Sequence, residues 1–315
     1  MRILITGAAG FVGGHLIRAF AEHGHTLAAI DLGSSPLFGE YGVSHHQADL
    51  LDGEAMQKVF RQEKPEAIVH LAAIANVPFA WEHPGRTMAV NVGGTATLLE
   101  TMAKCAPEAK LLTIGSSDAY GLTAKCGKPL TEDMPCEPQN PYSISKLCAE
   151  QLSMQLAKKF SLKVIAARSF NHFGPGQKPG FVVSDFASQV AAIEKGEQEP
   201  VLSVGDLTAA RDFTYIDDII AAYVALTEKE VPTGIYNICS GKPRKIEEVL
   251  QGLLALSGRD IEVRKDPARM RPSEVPFFVG DGSKLNKATG WTPETDFRAG
   301  LEKTLEYWCS QTMKS

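Results

Sequence analysis

The chain has 315 residues, 44% hydrophobic and 22% charged, with a formal net charge of −5 at pH 7. That is ordinary globular usage, long enough for one large α/β unit with a second lobe, and it excludes a disordered or coiled-coil chain. The charge is spread without long like-sign runs and no apolar run reaches the roughly 18–20 residues of a membrane span, so nucleic acid and membrane are excluded as partners and a small-molecule ligand is expected.

The N-terminus "MRILITGAAGFVGG" reads as a buried strand running into a glycine turn, because its apolar run is too short and too glycine-broken for a signal peptide. Strand-length apolar runs then alternate with helix-length amphipathic stretches: "GGHLIRAFAEHG", "TLAAID", "GEAMQKVFRQE", "AIVHLAA", "NVGGTATLLETMAKCA" and "KLLTIGSS". This βαβα order predicts an α/β protein with a doubly wound parallel sheet, a Rossmann arrangement. A helix is expected over "QNPYSISKLCAEQLSMQLAKKF", with Asn140 as cap and Pro141 in the first helical position, and "KVIAARSF" supplies a further buried strand, making the sheet about six strands wide by count of apolar runs.

After Phe170 the cluster "NHFGPGQKPG" cannot continue a helix or a central strand and marks a lobe boundary. The expected division is residues 1–170 as a dinucleotide-binding domain, with a return strand near 234–240, and residues 171–315 as a smaller C-terminal α/β lobe for substrate. The cysteines Cys105, Cys126, Cys136, Cys148, Cys239 and Cys309 form no Cys-x-x-Cys pair, and histidines do not stand at metal-ligand spacing. Reduced thiols, no metal and a cytoplasmic setting are expected.

Gly7, Gly10 and Gly13 follow a strand and open a helix, the context in which glycines let backbone approach a pyrophosphate while first-turn N–H groups face the anion. Asp31 ends the second strand, where a carboxylate meets the adenosine ribose and repels a 2′-phosphate, so NAD(H) is favoured over NADP(H). Tyr142 and Lys146 share a helix face at i,i+4 spacing. To work near pH 7 the phenol must drop from a pKa near 10, and a nearby ammonium and the helix N-terminus both push that way.

With the glycine turn, "TIGSSDAYG" and the Tyr-x-x-x-Lys pair in this order, the chain resembles, over nearly its whole length, the extended short-chain dehydrogenase/reductases that act on nucleotide-linked sugars. The resemblance implies that Ser116 binds the reacting sugar oxygen, Tyr142 is the acid or base, and Lys146 holds the nicotinamide ribose and lowers the tyrosine pKa. It implies a cofactor cleft lined by Gly7, Gly10, Phe11, Val12, Gly13, Asp31, Asp49, Leu50, Leu71, Ala72, Ala73 and Asn91 together with Tyr142 and Lys146. His70, in "HLAA", reads as a structural histidine.

The segments "RSFNHFGPGQ", "RDFTYIDDI" and "RPSEVP" resemble the GDP-mannose 4,6-dehydratase and GDP-4-keto-6-deoxymannose reductase group. By that likeness Asn171, Arg211, Arg271 and Glu274 contact the diphosphate and ribose of a GDP-linked sugar, with Ser116, Ser117, Asp118, Phe181 and Val182 completing the substrate site. Dehydratases of the group place a glutamate where this chain has Asp118, one methylene shorter, and a displacement of about 1 Å at a reacting centre costs on the order of a hundredfold. Asp118 is therefore read as a positioning or solvated residue, and the expected reaction is reduction of a 4-ketone, with a dehydratase or epimerase as the alternative. The resemblance also implies a homodimer through a four-helix bundle.

Overall fold

The computed structural model describes residues 1–267 and 275–311. Its first half alternates β1 (Arg2–Thr6), α1 (Phe11–Glu22), β2 (Thr26–Ile30), α2 (Pro36–Glu40), β3 (Ser44–His46), α3 (Gly53–Glu63) and β4 (Ala67–His70). Then follow α4 (Val77–Glu82), α5 (Pro84–Met88), a π-turn at Ala89–Gly93, α6 (Gly94–Cys105), β5 (Lys110–Ile114), α7 (Pro141–Phe160) and β6 (Lys163–Ser169). The strands are continuous apolar runs because helices cover both faces of the sheet. Ile3 and Ile5 point into one buried cluster and Leu4 into the other, and Leu112 with Leu111 and Ile165 with Val164 divide the same way.

The second half supplies β7 (Asn171–Phe173), α8 (Val182–Glu194), β8 (Val201–Val204), β9 (Ala210–Tyr215), α9 (Ile216–Glu228), β10 (Gly234–Ile238), β11 (Pro243–Lys245), α10 (Ile246–Leu254), β12 (Glu262–Lys265), β13 (Phe277–Phe278), α11 (Ser283–Thr289) and α12 (Phe297–Ser310). The parallel sheet has seven strands in the order β10-β6-β5-β4-β1-β2-β3. The expected doubly wound sheet is thus present, one strand wider than the apolar runs imply. The strand they miss is β3, "SHH", a polar edge strand whose only neighbour among the described residues is β2. The strand order reverses between β4 and β1, so the carboxyl ends of those strands open the crevice where ligands bind in this architecture.

The chain crosses between lobes more than once. β10 returns to pair with β6, and α9 packs against α1, where His23 and His25 both bond to Glu228 at 2.8 and 2.7 Å. The smaller lobe is built on β11-β9-β13 with β7 alongside β9. Its aromatic centre is Phe173, ringed by Phe213, Tyr215 and Phe297 at centroid distances of 5.5 to 6.3 Å. Asp212 fastens β9 to the end of β10: its buried carboxylate accepts from the Ser240 N–H and hydroxyl and from the N–H groups of Gly241 and Gly280.

Candidate active site

The β1–α1 turn is shaped by close approach. Gly7 has φ +71, and a Cβ there would lie 2.6 Å from the Ala72 nitrogen; one on Gly13 would lie 2.3 Å from the Ala8 carbonyl oxygen. Glycine is required at both positions for the turn to lie under β4 and for α1 to start where it does. No side chain caps α1 and its first turn holds no acidic residue, which leaves the N–H groups around Phe11 and Val12 for an anion. The residues present therefore fit a dinucleotide pyrophosphate.

Asp31 stands directly beyond β2, with Oδ2 accepting from the Ala9 N–H at 3.0 Å and Oδ1 from the Gly33 N–H at 2.8 Å. It clamps the glycine turn, and each oxygen retains capacity for a hydroxyl donor. Asp49 is exposed and accepts from the Leu51 N–H, while Leu50 is buried against Gly94. Leu71, Ala72 and Ala73 form the rim that follows β4.

His70 lies beneath that rim. Thr95 donates to the Asn91 carbonyl, so its oxygen accepts from His70 Nε2 at 3.0 Å, and His70 Nδ1 accepts from the Thr6 hydroxyl at 2.7 Å. Burial, then Lys146, holds the imidazole neutral, with its pKa down to about 3. It is a structural histidine tying β1, β4 and α6. Asn91, in the π-turn, accepts from the Ile74 N–H and donates to the Ile74 carbonyl and to Ser145 Oγ. Its amide is spent bracing α7 against the loop after β4.

α7 begins in a capping box between Asn140 and Ser143 with Pro141 at its first position, which sets Tyr142 in the first turn and Lys146 one turn later. Lys146 Nζ donates to the Ile114 carbonyl at 2.6 Å, and burial brings its pKa down to about 8. Ser116 caps the short 3-10 helix Ser117–Tyr120, accepting from the Asp118 N–H at 3.2 Å, and its hydroxyl stands near enough to the Tyr142 phenol to draw its pKa down. Ser116, Tyr142 and Lys146 are thus brought together at the carboxyl end of β5.

The electrostatics differ from the expectation in two respects. Burial pushes the Tyr142 phenol up, Asp118 adds to that, and the Ser116 hydrogen bond pulls the other way. Lys146 is not among the groups that move it, and its ammonium donates to the Ile114 carbonyl. Asp118 is half-buried rather than fully solvated: burial raises its pKa, opposed by the positive charge of Arg211.

Of the substrate residues, Arg211 on β9 is near enough to Asp118 for the two charges to influence each other, and it donates to the carbonyls of Ala210 and Val275. Asn171 opens β7, which pairs with β9, and the exposed Phe181 precedes Val182 at the start of α8. Ser117 is buried in the shelf that Ser116 and the 3-10 helix Ser117–Tyr120 form beyond β5. Arg271 and Glu274 lie outside the described residues.

Ser184 and Asp185 lie at the start of α8. They bond to the Gln177 carbonyl and the Gly180 N–H and so staple the glycine-rich loop 174–180 to α8. The sequence reading also missed the buried Glu150–Arg168 pair and the Asp212 knot. The signal for the first was present: Arg168 interrupts the apolar strand "KVIAARSF", and a charge in a central strand requires a partner.

A family model for GDP-mannose 4,6 dehydratase matches residues 4–304. GDP-6-deoxy-D-mannose reductase of Pseudomonas aeruginosa is 36% identical over 310 residues, covering 98% of each chain. UDP-glucuronate 4-epimerase of Thermodesulfobacterium geofontis is 29% identical, covering 96% of this chain and 95% of that protein. Among solved structures, RMD from Pseudomonas aeruginosa complexed with NADPH superposes with a TM-score of 0.86 at 34% identity, covering 98% of this chain and 99% of that one. Thermus thermophilus UDP-glucose 4-epimerase in complex with NAD gives 0.86 at 30% identity, covering 99% and 100%. The chain belongs to the GDP-mannose 4,6-dehydratase family and is an enzyme of the extended short-chain dehydrogenase/reductase group.

Proposed function

We propose that this member of the GDP-mannose 4,6-dehydratase family reduces a GDP-linked 4-keto-6-deoxy sugar, converting GDP-4-keto-6-deoxy-D-mannose to GDP-D-rhamnose or its C4 epimer. The observation that carries this reading is the gathering of Ser116, Tyr142 and Lys146 at the carboxyl end of β5, where burial and Asp118 both favour the protonated phenol. A reductase needs an acid at the start of its cycle, and a proton-loaded phenol beside a hydroxyl supplies one. Ser116 polarises the C4 carbonyl and Tyr142 delivers the proton to its oxygen. The reduced nicotinamide supplies the hydride to C4. Lys146, through its short bond to Ile114, keeps the helix bearing Tyr142 against the strand bearing Ser116. Arg211 and Asn171, from the smaller lobe, hold the diphosphate, whose oxygens suit the planar guanidinium fork.

The uncapped α1 N-terminus and Asp31 would hold the dinucleotide, and the Asp31 carboxylate supports NAD(H) over NADP(H). The same reading includes a homodimer through α6 and α7, for which the exposed Ile144 on α7 offers an apolar contact. Among the described residues no helix is long and apolar enough to cross a membrane, in keeping with a cytoplasmic enzyme.

A second reading, dehydratase or epimerase, is favoured by one observation: Asp118 is a half-buried carboxyl with a raised pKa close to Tyr142, where a second acid/base of an elimination would stand. Incubating the enzyme with GDP-4-keto-6-deoxy-D-mannose and NADH or NADPH, beside dTDP- and UDP-linked 4-keto sugars, separates the two. Reduction consumes cofactor one-for-one with the GDP substrate. Turnover of GDP-mannose itself with no net cofactor oxidation would overturn the proposal in favour of the second reading.

A further inference from the structure

Glu150 and Arg168 form a bidentate pair in the protein interior. Arg168 Nε donates to Glu150 Oε2 at 2.8 Å and Nη2 to Oε1 at 2.7 Å, with side-chain exposures of only 3% and 2%. Stability alone is a poor reason for such a pair, since two buried charges lose hydration that a matched apolar pair would not. Its place in the fold supplies another reason.

Glu150 stands one helical turn beyond Lys146 and two beyond Tyr142, on the same face of α7. Arg168 stands at the end of β6, beside the shelf: the preceding residue, Ala167, pairs with Ile114 and accepts from the Gly115 N–H at 2.7 Å. A Cβ on Gly115 would lie 3.0 Å from the Ala167 oxygen and 3.6 Å from Glu150 Oε2, so the carboxylate lies directly under the residue preceding Ser116. The Arg168 guanidinium covers the ring of Tyr120, the last residue of the shelf helix, at 4.7 Å. The Tyr120 hydroxyl is in turn anchored to Asn237 Oδ1 at 2.8 Å.

Lys146 and Glu150 thus fasten α7 to the shelf at two heights. Lys146 grips the strand end at Ile114, and Glu150 grips, through Arg168, the floor and far end of the shelf helix. Between the two fastenings is a cavity of about 10 Å³ lined by His70, Asn91, Thr113, Gly115, Lys146 and Glu150, with room for no more than a single water. A shift of α7 toward the sheet is blocked by packing and a shift away is opposed by both grips.

We propose that Glu150 and Arg168 are positioning residues for the reaction: together they set the separation of the Ser116 hydroxyl from the Tyr142 phenol without touching substrate or cofactor. The proposal rests on Tyr142 as proton donor. Misplacement of about 1 Å at a reacting centre costs on the order of a hundredfold, so loss of one grip should appear in the chemical step while binding survives.

Two variants test this. Glu150→Leu with Arg168→Met removes both charges and leaves neither unpaired, and Arg168→Lys keeps the charge while losing the fork and the cover over Tyr120. In each, kcat for the 4-keto sugar is expected to fall at least tenfold, with KM and the NADPH and NADH dissociation constants within about threefold of wild type. The basic limb of the kcat–pH profile should also move, because the phenol loses its Ser116 partner. Should the double variant not fold, Arg168→Lys decides. A folded variant with wild-type kcat and pH profile overturns the positioning role, whereas a wild type inert toward every 4-keto sugar overturns the reductase reading instead.

Discussion

Asp118, in the turn after β5, and Arg211, on β9, are each the leading charged influence on the other. The strand that would grip the diphosphate is therefore electrostatically coupled to the shelf that would hold the sugar carbonyl. Asp118 also acts on Tyr142, raising its pKa further than burial alone.

Replacing Asp118 by Asn should therefore lower the Tyr142 pKa. Reduction requires the protonated phenol, so the rate falls as pH rises through that pKa, and in Asp118→Asn the fall should begin at lower pH than in wild type. At pH 6 to 7 the reduction should slow by less than about tenfold, since the carboxyl itself takes no proton from carbon. A loss of more than about a hundredfold, or a basic limb shifted upward, would assign Asp118 the acid/base role of the second reading.

Tyr142→Phe should reduce kcat by about 10²–10⁴-fold, the usual worth of a general acid, while cofactor affinity measured by fluorescence quenching stays within about threefold. Ser116→Ala should lower kcat less, because it removes one hydrogen bond to the oxygen and leaves the proton source. Equal KM values in all three proteins would place both groups in the chemical step.

Asp31→Ser should raise the ratio of kcat/KM with NADPH to that with NADH at least tenfold by removing the charge that repels a 2′-phosphate. It should also weaken both cofactors, since Asp31 accepts from Ala9 and Gly33 in the phosphate turn. A wild type that already prefers NADPH would refute the discriminating role and leave Asp31 only the clamp.

Gly7→Ala and Gly13→Ala should abolish cofactor binding and lower Tm, because a methyl at either place meets backbone at 2.6 or 2.3 Å. Gly24→Ala is the control. Its φ is also positive, at +74, but nothing lies within 4 Å, so it should cost only about 1 kcal/mol of backbone strain in a thermal or urea melt and leave the dinucleotide site intact.

Glu228 offers a pH test of the α1–α9 contact. Burial works to raise its pKa, but hydrogen bonds from His25 and His23 outweigh it and the net shift is downward. A depressed carboxylate contributes stability that is present above its unfolded pKa and lost as pH falls through the folded one. Glu228→Gln should thus lower the urea midpoint at pH 7, and the difference from wild type should shrink as the pH falls through the carboxylate range.

How far the molecule could be read from its residues follows from the range of the interactions. The glycine turn and the Asn140–Pro141 helix start are set by adjacent backbone, and the alternating apolar runs report a sheet covered on both faces. β3 escaped because an edge strand of "SHH" has no apolar face to announce it. The environment of Asp118 escaped because it is made first by burial and then by Arg211, both of which depend on chain remote in sequence. Lys146 is next to Tyr142 by helix spacing, yet the carbonyl that claims its ammonium belongs to β5, which no local pattern reveals.

The return of β10 to the sheet has a consequence during synthesis. Until Ile238 has emerged, β6 is an open parallel edge, and the anchor that Asn237 gives Tyr120 does not exist. At about 5–20 residues per second, the stretch between Ser169 and Ile238 leaves that edge uncovered for several seconds. Nascent chains stalled in this window should be the ones that aggregate or recruit chaperones, and slow codons placed there should reduce the yield of active enzyme more than the same codons placed after residue 240.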